Sequence, residues 1–289
     1  MQSLWILVSG FFFALMGVFV KLGAAHFATA ELVFYRSLTT LAVALLMLRW
    51  QGLAWRSDKP WMHCKRGLTG FVSLLLFFQA IALLPLATAM TLNYTSPIFL
   101  TLLTVLLLRE SPRPLLLLAL ALGFGGTVLL LRPTLKPEEM LGAALGLASG
   151  FAAALAYYNV RQLVRAHEPE SRVVLYFGVY ATLGAGLWML GTEWHAITWP
   201  TLWILLGMGF CGTFGQLAVT RAYGKGRAAV TAALSYGTVV FSSVLGIIIW
   251  QDQLPLTSWL AMGLIMLGGV LAVSAVPARA DARVAQTND

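Results

Sequence analysis

The sequence predicts an all-α polytopic membrane protein with ten transmembrane helices, arranged as two inverted five-helix repeats. Three observations lead to this fold class: an apolar composition, ten apolar stretches of spanning length, and an internal repeat with an odd number of spans. Of the 289 residues, 59% are hydrophobic and 10% are charged, whereas about a quarter of a soluble domain is charged. We therefore expect the chain to fold in a lipid bilayer.

Ten stretches are long and apolar enough to cross a bilayer, which takes about 20 residues. The first lacks the basic residues that precede the core of a signal peptide, so it is predicted as a membrane helix. Only the second carries a charge in its interior, Arg36. The ten predicted spans are residues 3–21, 31–48, 67–84, 86–108, 114–131, 140–160, 173–191, 200–220, 228–250 and 256–276.

Lysine and arginine residues are distributed unevenly between the two sides of the predicted bundle. The termini and the loops after spans 2, 4, 6 and 8 hold fifteen of them, with Arg66 placed in one of these loops, and the opposite side holds three. Cytoplasmic loops carry an excess of basic residues. Both termini are therefore predicted to be cytoplasmic.

The two halves of the chain resemble each other. The segment SGFFFAL at Ser9 recurs as SGFAAAL at Ser149, and Tyr94 recurs as Tyr236 at nearly the same separation along the sequence. The chain is therefore divided into a first repeat (1–131), a linker loop (132–139), a second repeat (140–276) and a polar cytoplasmic tail (277–289).

The odd number of spans per repeat decides the relative orientation of the two copies. If every segment crosses the membrane, the first repeat starts inside and ends outside, so the second starts outside. Inverted repeats of this kind are a recurring plan of secondary transporters, whose substrate site lies near the midplane between the repeats. The architecture therefore predicts transport.

Three segments carry a resemblance to a known family. They are FYRS at residues 34–37, LPLATAMTLNYTSPIFLTLLTVLLLRES at 84–111 and GKGRAAVTAALSYGTVVFSSVLGIIIWQDQ at 224–253. Each half resembles the EamA module of the drug/metabolite transporter superfamily, whose members move amino acids, sugars, nucleotide derivatives and drugs. The resemblance implies an exporter of the cytoplasmic membrane with a central cavity lined by spans 1, 3, 4, 6, 8 and 9.

Arg36 is the first candidate for substrate binding, because charged groups inside a membrane are costly and usually functional. It could attract a carboxylate or phosphate of a substrate in an outer vestibule. Alternatively, it could pair with Glu31 or with helix carbonyl groups, or extend to the outer interface.

Isolated amide and tyrosine side chains in apolar spans are the other candidates. Such groups either join helices through hydrogen bonds or contact the substrate, and Tyr157 could also anchor the helix at the interface. Tyr94 and Tyr236 are expected as cavity walls because they are large and related by the repeat. The predicted substrate-binding set is Arg36, Gln79, Asn93, Tyr94, Tyr157, Gln216 and Tyr236.

Pro97 and Gly237 are predicted gating positions in spans 4 and 9. A proline removes one backbone donor and clashes with the carbonyl four residues earlier, so it bends a helix. The second repeat has Val239 near the position of Pro97. The sequence therefore predicts that the two halves bend differently.

Glycines indicate close helix packing. Gly142, Gly146 and Gly150 recur at four-residue spacing in span 6, and glycine pairs occur at 125–126 and 268–269. Small residues on one helix face allow neighbouring backbones to approach closely.

Missing motifs argue against two function classes. The sequence has no GxxxxGK[ST] nucleotide loop, so ATP-driven transport by this chain alone is excluded. It has no HExxH and no GxSxG segment, so an intramembrane enzyme is disfavoured. No cofactor or metal is expected, because the four histidines fall at loops or helix ends. The net charge of +8 is assigned to membrane topology, so nucleic acid is not an expected partner, and no obligatory protein partner is evident. The expected partners are a small-molecule substrate and the lipid bilayer.

We therefore predict a secondary transporter, not an enzyme, that exports a small metabolite such as an amino acid by alternating access. A proton relay normally uses buried acids, and no carboxylate lies near the middle of a predicted span. The alternatives are a channel, which would need a continuous polar pore, and a membrane receptor, which usually carries a soluble domain.

Overall fold

The structure is a computed structural model that describes residues 2–108, 114–130, 137–192, 194–226, 231 and 234–274. Within these ranges the chain is helical and contains no β-strand. Helices satisfy all their backbone hydrogen bonds internally, as a lipid environment demands. The α-helices are α1 (Trp5–Gly23), α2 (Thr29–Trp50), α3 (Pro60–Leu83), α4 (Leu86–Asn93), α5 (Ser96–Leu108), α6 (Pro114–Leu130), α7 (Pro137–Arg165), α8 (Glu170–Met189), α9 (Trp199–Lys225), α10 (Gly237–Trp250) and α11 (Leu256–Ser274).

Six helical segments of the described chain are long and apolar enough to cross a membrane. They are Gln2–Gly23, Thr29–Trp50, Pro60–Leu83, Glu139–Arg165, Glu170–Met189 and Trp199–Lys225. Two shorter apolar helices, Gly237–Trp250 and Leu256–Leu271, follow. The chain is therefore a polytopic, all-helical membrane protein.

Prolines explain several helix starts that the hydropathy pattern placed too late. Pro60 begins α3, seven residues before the predicted start of the third span, and Pro137 begins α7, three residues before that of the sixth. Proline is favoured in the first helical turn, where its missing N–H has no intrahelical partner in any case. The earlier start of α3 brings additional basic residues into the helix.

The fourth predicted span is divided into two helices. The helix α4 ends at Asn93, and α5 begins at Ser96 after a turn at Tyr94 and Thr95. The Thr95 N–H donates to the Leu92 carbonyl at 3.2 Å, and the Thr95 hydroxyl donates to the same oxygen at 2.7 Å. The threonine side chain thus replaces part of the backbone hydrogen bonding that the break removes.

The equivalent place in the second repeat is also broken. A turn at Tyr236 precedes α10, and the Val239 N–H donates to the Tyr236 carbonyl at 3.0 Å. Each repeat therefore has a turn at the repeat-related tyrosine, although the second has no proline beside it. The turns differ in length, with two residues at Tyr94 and Thr95 and one at Tyr236, and different bending of the two halves stays a prediction. Residues 227–230 and 232–233, which precede this turn, lie outside the described residues.

The helices pack as a single bundle in which elements from the two halves of the sequence alternate. The largest contacts are α3 with α7, α6 with α11, α1 with α9 and α2 with α8. Smaller contacts join α1 with α10, α2 with α9, α3 with α8, and α7 with both α4 and α5. Each of the largest contacts joins a helix before residue 131 to one after residue 136.

Glycines mark the closest approaches between helices. A Cβ atom added at Gly142 would lie 2.9 Å from Leu83 Cβ, and one added at Gly146 would lie 3.0 Å from Leu92 Cβ. One added at Gly150 would lie 2.8 Å from the Leu92 carbonyl oxygen. The glycine face of α7 therefore packs against α3 and α4, as the spacing predicts.

The glycine pairs of α6 and α11 differ from the expectation at one position. A Cβ at Gly126 would lie 2.9 Å from the Ala261 carbonyl oxygen, and one at Gly268 would lie 2.7 Å from the Gly123 nitrogen. A Cβ at Gly125 would meet nothing within 4 Å. Gly125 therefore takes no part in this packing.

We predict that Gly146→Leu impairs assembly of the bundle. The leucine Cβ alone would already press on Leu92, and overpacking of this kind costs about 1–3 kcal/mol or more. We expect a lower unfolding temperature and a smaller monodisperse fraction on size-exclusion chromatography. The matched control is Gly263→Leu, because a Cβ at Gly263 meets nothing within 4 Å. Equal behaviour of the two variants would contradict this account.

Candidate substrate-binding cavity

A cavity of about 60 Å³ lies in the interior of the bundle. It is bounded by α1, α2, α3, α4, α7, α8 and α9, so both halves of the sequence contribute. Spans 1, 3, 4, 6 and 8 contribute to the lining as expected, and spans 2 and 7 contribute as well. The expectation for span 9 is not met, because no described residue of 228–250 belongs to the lining. The lining residues are Phe13, Met16, Arg36, Arg66, Gly70, Ser73, Leu74, Phe77, Met90, Asn93, Tyr94, Ala153, Ala156, Tyr157, Phe177 and Gln216.

Arg36 points into this cavity from α2. Its side chain is buried, and Nη2 donates a hydrogen bond of 3.2 Å to the Gly212 carbonyl oxygen. Glu31 is engaged elsewhere: its two carboxylate oxygens accept from the backbone N–H groups of Ala28 and His195, each at 2.8 Å. The sequence left open whether Arg36 pairs with Glu31 or with helix carbonyl groups. In the structure Arg36 bonds to a helix carbonyl and not to Glu31.

Arg66 also lines the cavity, which corrects its placement in a cytoplasmic loop. Because α3 begins at Pro60, Arg66 lies two turns inside the helix and is only 2% exposed. A Cβ added at Gly70, one turn further on, would collide with Arg66 Nη1. The absence of a side chain at Gly70 therefore makes room for the guanidinium group.

Phe177 of α8 brings the two arginines together. The guanidinium carbon of Arg36 lies 5.1 Å from the centroid of the Phe177 ring, and that of Arg66 lies 4.5 Å from it. Cations within about 6 Å of a ring centroid are attracted by its π electrons. Phe177 and Arg66 were not predicted as site residues. The available signals were Pro60 as a helix start and the repeat itself, in which Phe177 is the counterpart of Arg36.

Neutral polar groups occupy other parts of the wall. The Asn93 amide donates to the Ser149 hydroxyl at 2.9 Å, which ties α4 to α7 beside the helix break. Gln216 of α9 is buried, with its amide nitrogen 3.4 Å from the Thr220 hydroxyl. Tyr94 is buried at the turn between α4 and α5.

Tyr157 lies in the cavity wall and not at an interface. Its ring stacks on that of Tyr223 at a centroid distance of 4.5 Å and an angle of 11°. Tyr157 lines the same cavity as Arg36 and Arg66. The aromatic packing between α7 and α9 is thus part of the wall around the two guanidinium groups.

Two of the predicted site residues lie outside the lining. The Thr29 hydroxyl donates to the Gln79 side-chain oxygen, so Gln79 joins α3 to the start of α2. Tyr236 is buried against α11, where a Cβ added at Gly269 would collide with its hydroxyl group.

The two predicted gating residues flank the helix breaks and do not line the cavity. Pro97 is buried in the first turn of α5, and Gly237 is the first residue of α10, where a Cβ would lie 3.0 Å from Leu7 Cδ2.

No acidic side chain among the described residues lines the cavity. Glu168 and Glu170 lie near Arg172 and Lys225, at 3.0 Å and 2.7 Å, and Glu31 lies 2.8 Å from His195. The remaining acids in the described ranges are Asp58, Glu138, Glu139 and Asp252. The cavity is therefore a positively charged site. Among the described residues no cluster of histidine, cysteine or acidic side chains could hold a metal ion.

A second, larger space of about 510 Å³ lies at the end of the bundle where α1 begins. Its wall includes Trp5, Val8 and Phe214, each between 41% and 50% exposed on the surface of the bundle. Exposed apolar side chains of this kind are expected to face lipid. We therefore place the candidate site in the interior cavity.

Hydrogen-bonded clamps join the connecting loops at both ends of α2. At one end Glu168 accepts from Ser57 at 2.7 Å, and Arg172 donates to the Ala54 carbonyl at 2.9 Å. Burial opposes ionisation of Glu168, but hydrogen bonds from Ser57 and Arg172 and the adjacent His63 lower the pKa of its carboxyl group. The loop before α3 is thereby fixed to the loop before α8.

The clamp at the other end is related to the first by the repeat. Glu31 of the first half corresponds in sequence position to Arg172 of the second, and Ala54 corresponds in the same way to His195. Arg172 contacts Ala54 at one end, and Glu31 contacts His195 at the other. Equivalent positions of the two halves thus form equivalent links at opposite ends of the bundle.

Membrane-length helices packed around a buried polar cavity define a multi-pass membrane protein with a site inside its bundle. The chain belongs to the EamA-like transporter family, which matches residues 1–132 and 140–274. It is therefore a membrane transporter protein of the drug/metabolite transporter type.

Individual relatives extend over nearly the whole chain. An uncharacterized transporter of Helicobacter pylori is 31% identical and covers 92% of both chains. The pseudopaline exporter CntI of Pseudomonas aeruginosa is 31% identical over 92% of this chain and 93% of its own. A solved crystal structure with 20% identity superimposes with a TM-score of 0.70 over 93% of this chain and 96% of the other. At that identity the structure shows similarity of fold alone.

Proposed function

We propose that this protein is a secondary transporter that exports a small metabolite across the cytoplasmic membrane by alternating access. The observation that carries the proposal is the buried, charged cavity between helices of both sequence halves. Substrate sites of secondary transporters lie at the interface of two repeats. The relatives are named as transporters, which supports a transport function and not an enzymatic one.

We further propose ten spans in two inverted repeats with both termini cytoplasmic. The packing pattern supports a two-fold relation between the halves, which an odd number of spans in each repeat would make an inverted one. In the repeat, α1 corresponds to α7 and α3 to α9, so the contact between α1 and α9 corresponds to that between α7 and α3. In the same way, the contact of α2 with α9 corresponds to that of α8 with α3. Arg66 is removed from the loop count, so fourteen basic residues remain on the proposed cytoplasmic side against three on the other.

The glycines of the repeated SG segments give a second argument for a two-fold relation between the repeats. Gly150 of α7 packs against the carbonyl oxygens of Leu92 and Asn93 at the first helix break. Gly10 of α1 packs against Thr238 at the second break, where an added Cβ would collide with the threonine hydroxyl. Each repeat thus places its first helix against the broken helix of the other.

The size of the cavity supports alternating access. A bound water requires about 10–15 Å³ of such space, so about 60 Å³ admits a few waters but not a metabolite of many atoms. Substrate entry therefore requires the helices to separate, and the clamped loops and broken helices are the elements that can rearrange. Export is favoured by the name of the Pseudomonas relative, which is an exporter.

Counterflow in proteoliposomes tests the proposed carrier mechanism. Vesicles containing the full chain are loaded with an unlabelled amino acid or small organic acid, and uptake of the labelled compound is measured. A carrier should accumulate label transiently above equilibrium, because unlabelled substrate returns the binding site to the outside. A channel would equilibrate the label without such an overshoot. Protein-free vesicles are the control, and channel-like uptake for every transported compound would reject the proposal.

A further inference from the structure

We infer that the cavity recognises a small organic dianion, with Arg36 and Arg66 each neutralised by negative charge on the same molecule. The inference rests on the proposed transport function and specifies the substrate class of its site. Dicarboxylates and phosphate monoesters share this chemistry at neutral pH.

The first argument is the uncompensated charge. Arg36 and Arg66 are 1% and 2% exposed, and Nε and Nη1 of each have no hydrogen-bond partner among the described residues. A guanidinium group has five N–H donors and remains charged in proteins. Removing such a group from water is costly unless an opposite charge and hydrogen-bond acceptors compensate it. Among the described residues, these four nitrogens therefore have no acceptor within hydrogen-bond distance, and the cavity lining contains no acidic side chain.

The second argument is that both cations face one small space. Both guanidinium groups lie near the ring of Phe177, and both belong to the lining of the same cavity. Two positive charges in one cavity repel each other, and a bound dianion removes this repulsion. Guanidinium groups match carboxylate and phosphate oxygens with paired hydrogen bonds.

The third argument concerns the backbone that holds the arginines in place. A Cβ at Gly212 would lie 2.8 Å from Arg36 Nε, and one at Gly70 would collide with Arg66 Nη1. Each guanidinium group therefore lies directly against the backbone of a helix, at a glycine that has no side chain. Both groups are held inside the bundle instead of extending toward an interface.

The charge balance also distinguishes a dianion from a simple zwitterion. An amino acid with one carboxylate would neutralise one guanidinium group and add an ammonium group to a cavity whose described wall contains no acid. A dianion neutralises both cations without adding a third. A metabolite with a single negative charge is therefore a poorer match to this site.

Thermal stabilisation of the purified full chain by a small panel tests the inference at constant chloride concentration. The probes are succinate, glutarate and phenyl phosphate, each compared with a neutral or singly charged analogue such as glutaramide. We expect at least one dianion to raise the unfolding temperature in a saturable manner, whereas its analogue does not. Arg36→Gln and Arg66→Gln should each weaken the apparent affinity about tenfold or more. The matched control is Arg49→Gln, because Arg49 is exposed at the end of α2.

The unfolding temperature of each variant without ligand distinguishes a loss of binding from a defect in folding. Without ligand, Arg36→Gln and Arg66→Gln should unfold at the same temperature as the wild type or higher, because each removes an uncompensated buried charge. A clear loss of ligand-free stability in both variants would assign the arginines to structure and overturn the inference. The inference is also overturned if no dianion stabilises the wild type more than its analogue, or if the variants respond fully.

Failure of the inference can be separated from failure of the transport proposal. Counterflow of neutral or zwitterionic compounds that dianions do not inhibit would reject the dianion site and leave the transporter standing. Arginine-dependent stabilisation by dianions without counterflow of any dianion would support the site and reject the transport mechanism. A response to phenyl phosphate but not to dicarboxylates would identify a phosphate ester as the form of dianion recognised.

Discussion

Gly70→Ala is expected to reduce substrate affinity strongly while leaving the bundle assembled. The added methyl group would occupy the space of Arg66 Nη1 and lie 2.9 Å from the Phe177 ring. The end of a long side chain moves more easily than a helix, so the guanidinium group should leave its position in the cavity. A hydrogen bond to a charged group contributes about 1.5–3 kcal/mol, which corresponds to roughly a 10- to 100-fold loss of affinity.

A double-mutant cycle identifies the cause of this loss. If Gly70→Ala acts through Arg66, adding it to Arg66→Gln should produce little further change in ligand affinity. Gly263→Ala is the control for a methyl group on a helix, because its Cβ meets nothing within 4 Å. Additive effects of the two cavity substitutions would show that Gly70→Ala acts by another route.

The composition and hydropathy of the sequence were sufficient to predict a helical membrane protein, because lipid exposure imposes a long apolar run on each span. Hydropathy is averaged over about 20 residues, and this averaging placed Arg66 in a loop. A charged residue near a helix end lowers the average hydropathy equally whether its side chain lies in a loop or points into the bundle. Pro60 is a local signal for the first helical turn, and it shows that the helix begins before Arg66.

The site was harder to predict than the fold, because contacts between distant helices decide which polar groups meet. Asn93, Tyr94, Tyr157 and Gln216 lie in the cavity wall with Arg36, whereas Gln79 has a partner in Thr29. An isolated amide in a span has the same sequence pattern in either case. Phe177 is one of many apolar residues, and its correspondence to Arg36 in the repeat was the signal that could have selected it. Its importance derives from the two arginines beside it.

The helix breaks show how the repeat constrains structure beyond local sequence. A proline lies beside the break at Tyr94 and not beside the one at Tyr236, so local propensity alone suggests two different helices. In both halves a glycine of the opposite repeat, Gly150 or Gly10, packs against the broken segment. Tertiary contacts thus support both breaks, beside which the local sequence places a proline in one half and Gly237 in the other.

Pro97→Ala is expected to slow transport more than it weakens ligand binding. In an unbroken helix the N–H of residue 97 would donate to the Asn93 carbonyl, and proline cannot make this bond. Alanine restores the donor, and one backbone hydrogen bond contributes about 0.5–1.5 kcal/mol. A continuous helix through residues 93–97 then becomes more favourable, which shifts the balance between the conformations that alternate during transport. We expect the counterflow rate to fall up to about tenfold, with ligand affinity changed less than twofold.

The effect depends on the position of the proline and not on its presence in a first helical turn. Pro60 also occupies the first turn of its helix but adjoins no break within a span, so Pro60→Ala should leave the counterflow rate close to that of the wild type. Pro97 lies two residues after Thr95, whose hydroxyl bonds to the carbonyl of Leu92. If Pro97→Ala lowered affinity and rate in equal proportion, residue 97 would act on the binding site itself. The break would then be a fixed part of the cavity wall, and the element that moves would have to be sought in the clamps formed by Glu31 with His195 and by Arg172 with Ala54.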